Sequence, residues 1–262
     1  MTLNQLSQKT LFSFPDSLLF WSLSIPLTLL KIFNYPLIPK EVLFLSITVI
    51  GISHGSTDFL VLKNISPIPR NIFYFSFLYF SSSLLLIFIW HTFAAESLIL
   101  FLLISAYHFG CDWQRSGYQR YLMGMGLLSI PIYYHPIETM QIFQQIAIES
   151  GPLKTITFLH QPIFFMAILQ AIYAIFQGKW QYLEYLFLVF SGSFLDPLSF
   201  FTYYFCFLHS IRHLKRFNQS HHIQPREWGY LTSISMLSWI LLPTLCTLMG
   251  IHPSDMISLS NL

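Results

Sequence analysis

The chain has 262 residues, of which 54% are hydrophobic, 18% aromatic and 9% charged, and its mean hydropathy is +0.58. A soluble globular domain carries charge on about a quarter of its residues, so this composition excludes that class and indicates a polytopic membrane protein. The net charge of +2 is too small to indicate a nucleic-acid partner.

Long apolar runs separated by Pro, Gly and charged residues predict the elements. Because a spanning helix needs about 20 apolar residues, the runs predict an all-α transmembrane helix bundle of about eight to nine spans. We expect one integral membrane domain over residues 1–262 and an interfacial connection at 136–156. The predicted spans are 17–36, 41–62, 71–91, 94–112, 119–135, 157–177, 180–194, 197–215 and 228–250.

The division at SGSFLDP, residues 191–197, depends on local signals. Gly192 disfavours a continuous helix, and Asp196 is a suitable N-cap for a helix with Pro197 at its first position. With this division, ten of the 13 basic residues lie on the side of the N-terminus. Since cytoplasmic loops are enriched in Lys and Arg, the sequence predicts a multi-pass protein of the cell membrane with a cytoplasmic N-terminus.

Three apolar runs contain ionisable residues spaced four apart, in GISHGSTDF, SAYHFGCDW and CFLHSIRHLKR. Residues at this spacing share a helix face, and all three pairs fall toward the cytoplasmic end of their predicted helices. The pairs are His54 with Asp58, His108 with Asp112, and His209 with His213.

Four imidazoles at one depth predict a metal site. Neutral imidazole binds Zn, Cu, Fe or Ni well, and a ligating histidine usually donates its other N–H to a carboxylate or carbonyl. Asp58 and Asp112 suit that supporting role, with Glu184 as a further candidate. We expect Arg212 to point away from the histidine face toward lipid headgroups, and Gly110 to allow close helix approach.

The motifs HGSTD, HFGCDW and FLHSIRH, in this order, resemble those of the Brp/Blh family of membrane β-carotene 15,15′-dioxygenases over residues 40–220. The resemblance implies that a non-haem Fe²⁺ is bound by His54, His108, His209 and His213. It also implies that O₂ cleaves the central C15=C15′ bond of β-carotene to give two molecules of all-trans-retinal, which a rhodopsin could receive. The family usually has a further C-terminal membrane segment with a Pro-His pair, so a shortened C-terminus is expected here.

Three other functions stay open from the residues alone. A di-iron desaturase needs about eight histidines in HxxxH and HxxHH boxes, of which this chain supplies one HxxxH. A haem-b redox protein needs axial histidines facing each other across a bundle. A transporter or proton-coupled channel could use the buried His and Asp residues as a proton path. The aromatic run FFTYYFCF, including Tyr203, Tyr204 and Phe205, either contacts substrate or packs against lipid and neighbouring helices.

Overall fold

A computed structural model describes residues 15–33, 46, 69–113, 117–147 and 153–221, and these residues form helices joined by turns. This agrees with the predicted all-α class. The helices are α1 (Pro15–Ile32), α2 (Pro69–Thr92), α3 (Ala94–Gly110), α4 (Tyr118–Tyr134), α5 (Pro136–Ala147), α6 (Leu153–Phe176), α7 (Tyr182–Gly192), α8 (Pro197–Tyr204), a π-helical turn (Phe205–His209) and α9 (Ser210–His221).

Most predicted spans in the described part of the chain correspond to one helix each. The expected interfacial connection 136–156 begins with a helix, α5, and its interfacial position stays a prediction. The expected span 197–215 is α8, the π-helical turn and α9 in succession. Apart from Ser46, the predicted spans 41–62 and 228–250 lie outside the described residues. The total of eight to nine spans stays a prediction.

The division at residues 191–197 is confirmed. Helix α7 ends at Gly192, and α8 begins at Pro197 with Asp196 as its N-cap. One carboxylate oxygen of Asp196 accepts the backbone N–H of Ser199 at 3.0 Å, and the other accepts the Ser199 hydroxyl at 2.6 Å. A side chain that accepts a first-turn N–H satisfies one of the donors that an α-helix leaves without a partner. The new helix therefore starts where the local sequence predicts.

The described helices fall into two compact units. The α7–α9 unit contains α1, α7, α8, the π-helical turn and α9, within residues 1–54 and 179–262. The α2–α6 unit contains α2 to α6, within residues 55–178. The single domain expected over residues 1–262 stays a prediction.

In the α2–α6 unit, α4 packs against both α3 and α6, and small residues make close packing possible. A Cβ atom added to Gly124 would overlap the backbone carbonyl of Ala106, and one added to Gly110 would overlap the carbonyl of Arg120. Helices that rely on packing rather than the hydrophobic effect approach through such small residues. The close approach expected at Gly110 is therefore confirmed.

In the α7–α9 unit, α1 packs against the π-helical turn. Its buried residues Phe20, Ser24 and Thr28 recur every four positions, so they form one face. The ring of Phe20 makes an edge contact with Phe187 of α7 at 5.8 Å. Within this unit, α1 therefore contacts both α7 and the segment that carries His209.

The surfaces of several helices are apolar. Within the described part of the chain, one segment is long and apolar enough to cross a membrane, Leu159–Phe176 of α6, and only 28% of it is buried. Residues 84–88 of α2 are all apolar and each 53–67% exposed, so apolar surface is exposed in every direction around that helix segment. Contiguous exposed apolar surface is rare on soluble monomers.

Candidate functional site

Two of the proposed metal ligands lie side by side in the α7–α9 unit. His209 is the last residue of the π-helical turn and is buried, and His213 lies in the first turn of α9 and is half-buried. Their ring centroids are 6.4 Å apart and their planes differ by 29°. The two rings therefore face the same side of the helix, as their spacing predicts.

A tyrosine hydroxyl lies at the first of these histidines. The Oη atom of Tyr204 is 3.3 Å from Nδ1 of His209, and both side chains are buried. The ring of Phe205 also stacks on that of His209, with ring centroids 5.7 Å apart and planes that differ by 25°. Tyr204 therefore lies in the core of the unit, in contact with a proposed ligand. Sequence reasoning considered it for the substrate and did not find this contact.

Arg212 does not point to lipid headgroups, so that expectation is wrong. It is 3% exposed, and its Nη2 atom donates to Oε2 of Glu184, which is 2% exposed. Glu184 lies in the first turn of α7. The ion pair therefore joins α7 to the short stretch of helix between His209 and His213.

The second histidine motif ends α3 in the α2–α6 unit. His108 lies in the last turn of α3 and is half-buried. The predicted helix 94–112 ends at Gly110, so Asp112 lies in the turn that follows, where its backbone N–H bonds to the carbonyl of Phe109 at 3.0 Å. The side chain of Asp112 is fully buried. The supporting role expected for Asp112 stays a prediction.

Arg120 of α4 contacts the C-terminal end of α3, the helix that carries His108. Its Nε atom donates to the carbonyl of Tyr107 at 2.7 Å, and its guanidinium carbon lies 3.5 Å from the centre of the Tyr107 ring. A cation is favourable at a helix C-terminus, where carbonyl groups are left without helical partners. The close approach at Gly110 brings Arg120 into reach, so packing and charge together fix the turn that follows His108.

The chemistry of the described pair suits a metal of intermediate softness. Two imidazoles on one helix face each offer a nitrogen donor, which is a ligand type that Fe²⁺ and Zn²⁺ both accept. Among the described residues, no group of three or more His, Cys, Asp or Glu side chains is arranged to hold a metal. His54 and Asp58 lie outside the described residues. The metal site of four histidines therefore stays a prediction.

Comparison with protein families decides the affiliation. A family model described as beta-carotene 15,15′-dioxygenase matches residues 45–260, which is most of the chain. The chain belongs to the β-carotene 15,15′-dioxygenase family. Searches of curated proteins and of solved structures gave no significant match.

Membership in the β-carotene 15,15′-dioxygenase family confirms the resemblance inferred from the motifs. The matched residues include all three motif pairs, so each histidine and aspartate proposed for the site lies inside the family region. The family description also supports dioxygenase chemistry on a carotenoid as the general class of activity.

Proposed function

We propose that the protein is an iron-dependent enzyme that cleaves the central C15=C15′ double bond of β-carotene with O₂. One O₂ molecule supplies both carbonyl oxygens of the two molecules of all-trans-retinal, so the atoms of the reaction balance. The observation that supports this proposal best is the pair of facing imidazoles of His209 and His213 in a chain of the β-carotene 15,15′-dioxygenase family.

The proposed iron ligands are His54, His108, His209 and His213. Bound Fe²⁺ would supply the activation of O₂. The histidines would hold the metal as neutral donors, which requires each ring to present a nitrogen without a proton. We propose that Nδ1–H of His209 donates to the hydroxyl oxygen of Tyr204, because this leaves Nε2 of His209 available as the donor atom. Asp58 and Asp112 would accept the N–H groups of other ligand rings.

The exposed apolar helices support a membrane location for the reaction. β-Carotene is a long hydrocarbon that dissolves in the bilayer, and the uncovered surface of α2 and α6 is what lipid would cover. We propose a multi-pass protein of the cell membrane, with its N-terminus in the cytoplasm and its site reached laterally from lipid. The retinal product would be released into the same bilayer, where a rhodopsin could bind it.

Pigment analysis in a bacterium that accumulates β-carotene tests the activity. We expect cells that produce the protein to lose their orange colour and to yield retinal by chromatography. His108→Ala should abolish retinal formation, whereas His91→Ala is the matched control because His91 is an exposed histidine at the end of α2. Unchanged β-carotene with intact, membrane-inserted protein that contains iron would point to another substrate. Inserted protein without metal would contradict the metal site and favour transport.

A further inference from the structure

A buried ion pair connects the histidine-bearing segment to the start of α7. The Nη2 atom of Arg212 donates to Oε2 of Glu184, across 28 positions of the sequence, and both side chains are almost completely buried. Arg212 lies three residues after His209 and one before His213. The ion pair therefore restrains the backbone between the two proposed ligands.

Stability alone does not explain an ion pair in this buried position. Removing two charges from water carries a desolvation cost that often exceeds their attraction, and well-packed apolar residues in the same place are frequently as stable or more stable. What the pair provides instead is direction, because the planar guanidinium of arginine presents its donors in a rigid arrangement. The hydrophobic effect has no preferred direction, whereas the charge-assisted hydrogen bond from Arg212 to Glu184 does.

The segment that carries the histidines contains a feature that makes rotation relevant. The π-helical turn Phe205–His209 holds an additional residue compared with an α-helical turn, and the backbone N–H of Ser210 bonds to the carbonyl of Phe205. The N-cap at Asp196 fixes the beginning of α8, but the π-helical turn lies between that cap and α9. The rotation of α9 about its axis therefore needs a restraint of its own beyond the π-helical turn.

We propose that Glu184 and Arg212 are positioning residues that hold α9 at the rotation in which His209 and His213 can bind the same metal ion. This inference rests on the proposed function, since it gives the ion pair a role at the proposed iron site. The residues themselves do not touch the metal or the substrate. They act through the helix backbone on the direction in which the two imidazoles point.

The double substitution Glu184→Leu with Arg212→Met tests this role. It removes both charges together, so it leaves no unpaired charge in the core, and its side chains keep much of the original volume. Arg216→Met is the matched control, because Arg216 lies one helical turn after Arg212 in α9 and is only partly buried. The purified full-length protein, free of metal, is titrated with Co²⁺ alone, and binding is followed by visible absorption. Thermal unfolding of the metal-free protein is measured in parallel.

We expect the double variant to unfold at nearly the same temperature as the wild type and to bind Co²⁺ about 10- to 100-fold more weakly, the range found when groups that support metal ligands are altered. Arg216→Met should bind Co²⁺ as the wild type does. A double variant with unchanged Co²⁺ affinity would overturn the positioning role while the metal site itself stands. A wild-type protein that binds no Co²⁺ would overturn both the site and this inference.

A second variant applies if the double variant does not fold. Arg212→Lys retains the buried positive charge but loses the planar arrangement of donors. We expect Arg212→Lys to fold and to bind Co²⁺ several-fold more weakly, with an altered visible spectrum because the two imidazoles no longer adopt the same relative direction. An affinity and a spectrum identical to those of the wild type would contradict the proposal.

Discussion

The two histidine-bearing helices are held in place by different means. The end of α3, with His108, lies against α4 where Gly110 and Gly124 bring backbone next to backbone. The segment with His209 and His213 packs against α1 and also has buried polar contacts, through the hydroxyl of Tyr204 and the Glu184–Arg212 ion pair. Where two backbones touch, an added side-chain atom has no space, whereas a polar contact can be lost without a clash. We therefore expect substitutions at the glycines to lower stability, and substitutions of the polar side chains to lower metal affinity.

The largest effect is expected from Gly124→Ala in the α2–α6 unit. Its new methyl group would meet the carbonyl of Ala106, a backbone atom that cannot move aside, and such overpacking costs about 3 kcal/mol. Thermal unfolding in detergent measures the loss. Gly178→Ala is the control, because Gly178 has a φ of +80° but open space around it, so only backbone strain of about 1–2 kcal/mol is expected. If the two variants lost equal stability, the contact with the Ala106 backbone would not explain the effect of Gly124→Ala.

A smaller and more selective effect is expected from Tyr204→Phe in the α7–α9 unit. The change removes the hydroxyl at Nδ1 of His209 and keeps the ring, so metal affinity should fall about 10-fold or more with little change in unfolding temperature. Titration of the metal-free protein with Fe²⁺ under anaerobic conditions measures this. Tyr203→Phe is the control: this neighbouring tyrosine is also buried, and no hydrogen bond to its hydroxyl is found among the described residues. If both variants bind iron equally well, Tyr204 does not orient His209.

The smallest effect is expected from Asp196→Ala at the start of α8. Loss of the N-cap should lower the free energy of unfolding by about 1 kcal/mol, and Ser199→Ala should lower it less, because the backbone N–H of Ser199 keeps its bond to Asp196. Chemical denaturation measures both. Metal affinity should not change in either variant, since the cap precedes the π-helical turn. A large loss of metal binding in Asp196→Ala would mean that the cap also sets the direction of the histidines.

Local chemistry explains which features the sequence predicts well. The break before Pro197 could be predicted because Asp196 and the Ser199 backbone N–H that it accepts are only three residues apart. The role of Gly110 could be predicted because only a residue without a side chain allows backbone contact. In both cases the residue type itself indicates the structural role, so the role can be predicted without knowing which distant residues it contacts.

The environment of Arg212 could not be predicted in the same way. A regular α-helix directs Arg212 away from the face shared by His209 and His213, and this suggested an exposed arginine. Its partner Glu184 lies 28 positions earlier, on another helix. The sequence around either residue does not indicate that the two are paired. The π-helical turn before Ser210 also changes the helix phase that such reasoning assumes.

The spacing between Tyr204 and His209 has a consequence for how this segment tolerates insertion and deletion. With 3.6 residues per α-helical turn, side chains five positions apart point in different directions, whereas a π-helical turn joins positions i and i+5. Tyr204 and His209 are five positions apart and in contact. Deleting one residue between them would restore an ordinary α-helical turn in which the two side chains, now four positions apart, again share a helix face. Adding one residue would instead place them six positions apart, a spacing that neither kind of turn joins. In this segment the number of residues carries information that residue identity alone does not.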